Sequence, residues 1–206
     1  MNIDFYFDPS CPFCWVTSRF VLLASNKREI NINWKLFSLA IKNGELDTEK
    51  KTGFDHMPAH RVERVLLAAS KQGANLGDMY KIFGIKHFLS GEEYTDDVIL
   101  DVLKQLHLDE TLMKAADDLS LDDDLNKSTE EAVGIVGQDI GVPTIVFNNQ
   151  DGVKTGFFGP VILTLPEMDE TVKQWDALVA LASSSNFYEL KRGRDHSPDV
   201  VSTAKC

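Results

Sequence analysis

The 206-residue sequence predicts an α/β fold: a small sheet begun by a strand-helix-strand unit, completed by a late hairpin, and interrupted by an inserted α-helical subdomain. Three observations carry that expectation. Short apolar runs of strand type fall near the two ends of the chain, at "IDFYFD", "EININWKLFSL" and "VPTIVFNNQDGVKTGFF". Between them, residues 43–126 repeat apolar side chains at helical spacing and hold no convincing strand. The pair Cys11 and Cys14 sits where the first strand gives way to the first helix.

The run "IDFYFD" is aromatic and β-branched and ends at the turn formers Asp8, Pro9 and Ser10, so it reads as a buried strand followed by a break. The next helix carries Val16, Phe20, Leu23 and Ala24 on one face. Pro12 suits its first turn, where the N–H it lacks would have no partner. Ile30, Ile32, Trp34 and Leu36 alternate with polar neighbours as a second strand.

In the middle, Val62, Val65, Leu66 and Ala69, then Val98, Ile99, Val102, Leu103 and Leu106, then Leu112, Met113 and Ala116 mark helix faces. "STEE", Ser128 to Glu131, resembles a capping box opening a helix that reaches about Ile140 and stops at Gly141. A strand at Thr144–Phe147, a turn through Asn149–Gly152 and a strand at Val153–Phe158 form a hairpin. A last helix runs from Pro166 to Leu181.

This is the thioredoxin order with helices inserted in its middle: strand, helix, parallel strand by a right-handed crossover, helical block, helix, antiparallel hairpin, helix. The expected division is a discontinuous thioredoxin-like domain over 1–42 and 127–192, a helical insertion over 43–126, and a flexible tail over 193–206 ending in an incidental thiol, Cys206.

Composition narrows the function. A net charge of −11 argues against binding to nucleic acid phosphates. No stretch approaches the ~20 apolar residues of a membrane helix. "MNIDFYFDP" carries no basic segment ahead of an apolar one, so the expected location is the cytoplasm. There, thiols are kept reduced, and a lone C-x-x-C reads as catalytic or metal-binding rather than as a structural staple.

A thiol reacts as its thiolate, and a helix N-terminus, with free N–H groups and a positive dipole end, favours that charge. Cys11 stands at the helix start and Cys14 a turn inside, which assigns Cys11 as nucleophile and Cys14 as resolving thiol. Two other readings stay open. A zinc site needs four ligands, so Cys206 or histidines would have to join the pair, and two inert core thiols are the other alternative. No metal is expected. His56, His60, His87, His107 and His196 show no ligand spacing beyond the Pro58-interrupted His56/His60 pair and read as surface residues. "GVPT" adds a second signal: a cis Val142–Pro143 bond that would present backbone groups beside Cys11. Pro12, Phe13 and Trp15 flank the cysteines as substrate contacts, Phe13 foremost; Phe157 and Phe158 are weaker candidates.

"FYFDPSCPFCWVTSRF", "SLAIKN", "GVPTIVFN", "FFGPV" and "WDALVALASSSNFYELKRGR" together resemble the DsbA-like thioredoxin-fold oxidoreductases, and within them the actinobacterial mycothiol-dependent nitroreductases. That resemblance implies a Cys11/Cys14 dithiol that passes electrons to a nitroaromatic or other electrophilic or disulfide substrate. It implies no tightly bound cofactor, regeneration by mycothiol or a similar small thiol, and a place for Asn43 near the pocket. The family commonly has Trp where Phe13 stands. Alternatives of other classes are a kappa-class glutathione-transferase-like or isomerase enzyme, and a non-enzymatic thiol- or metal-binding module.

Overall fold

The computed structural model describes residues 1–47, 55–148 and 152–205. A four-stranded sheet has the order β2-β1-β3-β4, with β1 at Asn2–Phe7, β2 at Asn31–Leu36, β3 at Thr144–Asn148 and β4 at Lys154–Phe158. The β1 and β2 strands run parallel: Asn31 N–H donates to Met1 O at 2.9 Å and Phe37 N–H to Phe7 O at 2.9 Å. The crossover between them is α1, Pro12–Ser25. β3 pairs antiparallel with β1, setting Phe5 opposite Ile145, and with β4, setting Ile145 opposite Phe157. The expected α/β architecture is thus present, with the hairpin where the sequence placed it; residues 149–151 of its turn lie outside the described residues.

The chain divides into two compact units, one of Met1–Tyr6, Cys11–Asn33 and Ala132–Cys206, the other of Phe7–Ser10 and Trp34–Glu131. In the first, Trp175 of α7, Met168–Ala182, is buried against Phe20 of α1 and Phe147 of β3, with ring centroids 6.4 and 6.0 Å away. A fully buried aromatic of this kind stabilises by about 1.5–3 kcal/mol. Gly156 keeps β4 close: a methyl there would lie 2.9 Å from Ile145 O and from Val146 Cγ2.

The second unit is helical: α2 at Leu39–Lys42, α3 at Met57–Lys71, α4 at Leu76–Gly84, α5 at Asp96–Gln105 and most of α6, Asp122–Val136. A widened π-type turn, Ile85–Leu89, continues α4, and 3₁₀ turns at Glu110–Asp117 and Leu119–Leu121 precede α6. Phe7 stacks on Tyr80, ring centroids 4.0 Å apart, and meets Trp34 edge-on. Gly77 is where that indole packs; any side chain there would overlap it.

The bounds of α6 differ from expectation. α6 begins at Asp122, not at Ser128, because the "STEE" hydroxyls are engaged in packing. Ser128 Oγ donates to Leu36 O at 2.6 Å, and Thr129 Oγ1 donates to Leu125 O and accepts from Ser38 N–H, both at 3.0 Å. Three aspartates at 122–124 supply the negative charge that a helix start favours. The helix ends at Val136 rather than Ile140, since Gly137 takes a φ of +129°, open to glycine alone among common residues.

The segment expected as a flexible tail makes contacts of its own. Its described part is tied down: Asp199 N–H donates to Leu163 O at 2.6 Å, Leu165 N–H to Ser202 Oγ at 3.0 Å, and a 3₁₀ turn at Val200–Thr203 buries Thr203. Cys206 lies outside the described residues.

Candidate active site

The site is built from the end of β1. Asp8 folds the turn that follows: its Oδ1 accepts from Ser10 N–H at 2.7 Å and from Ser10 Oγ at 2.6 Å, and its Oδ2 from Leu39 N–H at 2.8 Å. The chain then enters α1 with Cys11 as N-cap, at φ −82° and ψ 109°. Cys11 Sγ takes the role that a serine or aspartate oxygen usually fills, accepting the N–H of Cys14 at 3.4 Å. The Cys11 thiol points at Val142 O, 3.5 Å away. Cys11 is 6% exposed and Cys14 fully buried, so the first thiol alone has an opening to solvent.

Val142–Pro143 is cis, as "GVPT" suggested, and the loop is held by Thr144 Oγ1 donating to Gly141 O at 2.8 Å and Gly159 N–H donating to Pro143 O at 2.7 Å. A second cis bond, Gly159–Pro160, carries no sequence signal of its own; Pro160 O accepts from Thr17 Oγ1 on α1 at 2.8 Å. Cys11, Pro12, Phe13, Cys14, Val142 and Pro143 therefore share one place. Trp15 is turned inward, 1% exposed, with Nε1 donating to Thr203 Oγ1 at 2.8 Å and the Arg19 guanidinium 4.3 Å from its ring. Phe157 meets Phe187 edge-on at 5.7 Å, and Phe158 is exposed. Asn43 ends α2 in the other unit, and its side chain donates to Glu45 Oε1 at 3.5 Å.

A family model, Rv2466c-like, described as mycothiol-dependent nitroreductase Rv2466c, matches residues 10–192. The chain belongs to this family. An oxidoreductase follows from that membership. The chain is also similar to the uncharacterized protein Rv2286c of Mycobacterium tuberculosis, 28% identical over 196 residues, 93% of this chain and 81% of that protein. Among solved structures, the fold is similar to that of the cytosolic disulfide reductase DsbM from Pseudomonas aeruginosa, with a TM-score of 0.59, 17% identity, and 88% of this chain and 100% of that one covered. It is also similar to a probable DsbA oxidoreductase, SCO1869, from Streptomyces coelicolor, with a TM-score of 0.58, 14% identity and 93% of each chain covered.

In this Rv2466c-like protein the turn before Cys11 belongs to a buried polar network within the helical unit. His60, expected at the surface, is fully buried on α3. Its Nε2 lies 2.9 Å from Asp122 Oδ1, and its Nδ1 lies 2.9 Å from Ser38 Oγ and 3.0 Å from Glu63 Oε2. Arg64 grips the same Asp122 with two donors, at 2.6 and 2.7 Å, and gives a third to Ala116 O at 3.0 Å. Burial pushes the Glu63 carboxyl well above the ordinary carboxylate range, aided by the charge of Asp8, and burial raises Asp8 as well. Burial and then Arg64 lower His60, and Asp122 stays below its ordinary value, held there chiefly by Arg64 and His60 against its own burial.

A protonated Glu63 and a neutral His60 make the hydrogen bonds consistent. Glu63 supplies the proton to Nδ1 while Nε2–H donates to the Asp122 carboxylate. On the far side of the turn, Tyr94 OH donates to Pro9 O at 2.8 Å; burial holds this phenol well above its usual value, so it remains a donor. His87 stacks on Tyr94 with centroids 4.4 Å apart, and its Nδ1 faces Glu92 O at 2.9 Å.

Sequence reasoning found the cysteines and "GVPT" but not Glu63, His60, Asp122 or Tyr94. Their types are ordinary on a solvated helix, and only burial gives them meaning. Among the described residues no group of three or more Cys, His, Asp and Glu side chains is arranged to hold a metal ion, and no helix is long and apolar enough to cross a membrane.

Proposed function

We propose that this protein is a cytoplasmic thiol-disulfide oxidoreductase whose Cys11/Cys14 dithiol is regenerated by mycothiol or a similar small thiol. Its substrates are small disulfides or electrophiles, nitroaromatic compounds included. The observation that carries the reading is the N-cap sulfur: Cys11 Sγ receives the Cys14 N–H at 3.4 Å at the start of α1, and it is the more exposed of the two thiols.

In the substrate half-reaction, the Cys11 thiolate attacks one sulfur of a disulfide, the S–S bond breaks, and one thiolate leaves. Cys14 loses its proton and attacks Cys11 in the mixed disulfide, releasing the second thiolate and leaving a Cys11–Cys14 disulfide. With a nitro group, the same two electrons and two protons yield a nitroso group and water. Two molecules of small thiol then restore the dithiol and leave as their own disulfide. Val142 O, beside Cys11, is a backbone acceptor against which an incoming substrate can align.

Membership in a family described as mycothiol-dependent supports the choice of thiol, and the DsbM structure with glutathione shows that a neighbour of this fold takes a small thiol. Oxidised protein incubated separately with mycothiol, glutathione and reduced thioredoxin, with recovery of dithiol followed by alkylation and mass spectrometry, tests the reading. Faster recovery with mycothiol is expected. Undiminished turnover in Cys11→Ser would sink the dithiol mechanism, and undiminished turnover in Cys14→Ala would favour the transferase-like alternative.

A further inference from the structure

The segment after residue 186 returns to α1 at Phe13 and Trp15, within a single unit. It is anchored at both ends, by Phe187 against Phe157 and by Asp199 against Leu163, with Thr203 locked to Trp15 beyond. Between the anchors, the Arg194 guanidinium lies 4.8 Å from the centroid of the Phe13 ring, the half-buried residue between the two cysteines. Arg194 itself is exposed and forms no ion pair among the described residues. Lys191 and Arg192, just upstream, are exposed too. In a chain with 32 acidic against 21 basic residues, three cations within four positions, one of them on the Phe13 ring, run against the overall charge.

A guanidinium seated near an aromatic ring is restrained by the ring while its N–H groups keep their capacity for the two oxygens of a carboxylate. We propose that Arg194 is a specificity-determining residue that selects substrates bearing a carboxylate near the sulfur or electrophilic atom attacked by Cys11. The proposal rests on the dithiol reading above. It deepens that reading by naming a substrate class: anionic disulfides and anionic electrophiles ahead of neutral ones of the same reactivity. The acidic body of the protein repels such substrates at a distance, and Arg194, on the Phe13 ring between the two cysteines in sequence, opposes that field.

The test uses the full reduced chain and two aromatic disulfides, the dianionic 5,5′-dithiobis(2-nitrobenzoate) and the neutral 4,4′-dithiodipyridine. Each second-order rate constant is divided by that of a free small thiol. Arg194→Gln is expected to lower the anionic-to-neutral ratio by about fivefold, the upper end for one exposed charge pair. Arg194→Lys is expected to keep most of the ratio, and 0.5 M salt to bring the wild-type ratio toward that of the Gln variant. If Cys11→Ser abolishes both reactions while Arg194→Gln leaves the ratio within about 1.5-fold of wild type, the role of Arg194 is overturned and the dithiol reading stands. If Cys11→Ser changes neither rate, both fall together.

Discussion

Glu63 has no access to water, its Oε1 has no hydrogen-bond partner among the described residues, and its carboxyl is held well above the ordinary range by burial. The native protein therefore keeps a proton that an unfolded glutamate, titrating near 4.3, has released. Stability is fully present below that value and falls as pH rises, by about 1.4 kcal/mol per unit, until the folded-state value is passed. His60 acts in the opposite sense: its lowered value means that the unfolded state takes up a proton the native state refuses, so below about pH 6.5 acid destabilises. The window from pH 6.5 to 8 lies above the histidine's effect.

Across that window, each pH unit that lies below the folded-state value of Glu63 lowers stability by about 1.4 kcal/mol. Glu63→Gln removes the ionisation while an amide N–H still reaches His60 Nδ1. Urea unfolding at half-unit steps should show wild-type stability falling as pH rises, and a smaller slope in the variant. Parallel slopes in the two proteins would refute the assignment of a neutral, buried Glu63.

Thr203→Val removes the acceptor for the buried Trp15 Nε1–H. It should cost about 1–3 kcal/mol in a urea titration and expose segment 193–205 to limited proteolysis. Gly77→Ala drives a methyl into the Trp34 indole; α4 would have to shift, and a Tm loss of several degrees, with a change in tryptophan fluorescence, is the expected readout.

The strand and helix order was legible because each element announces itself locally: "IDFYFD" by its apolar run, α1 by Pro12 and the Val16–Phe20–Ala24 spacing, the hairpin by its two runs around a polar turn. The "STEE" capping box misled because a hydroxyl that can cap can equally bond to a carbonyl in the same helix or to a neighbouring element; Ser128 does the latter and Thr129 does both. His60 read as a surface residue because, in sequence, nothing separates a histidine facing water from one whose ring is enclosed by Asp122, Ser38 and Glu63.

By itself the sequence determined the cysteine pair, its place at a helix start and the cis-proline turn of "GVPT", because these depend on neighbours along the chain. Tertiary structure decided which sulfur meets water, which carboxyl keeps its proton, and that residues 193–205 return to α1. Those outcomes depend on burial and on partners more than 50 residues apart, such as His60 with Asp122 or Trp15 with Thr203. Local spacing carries no record of such pairs.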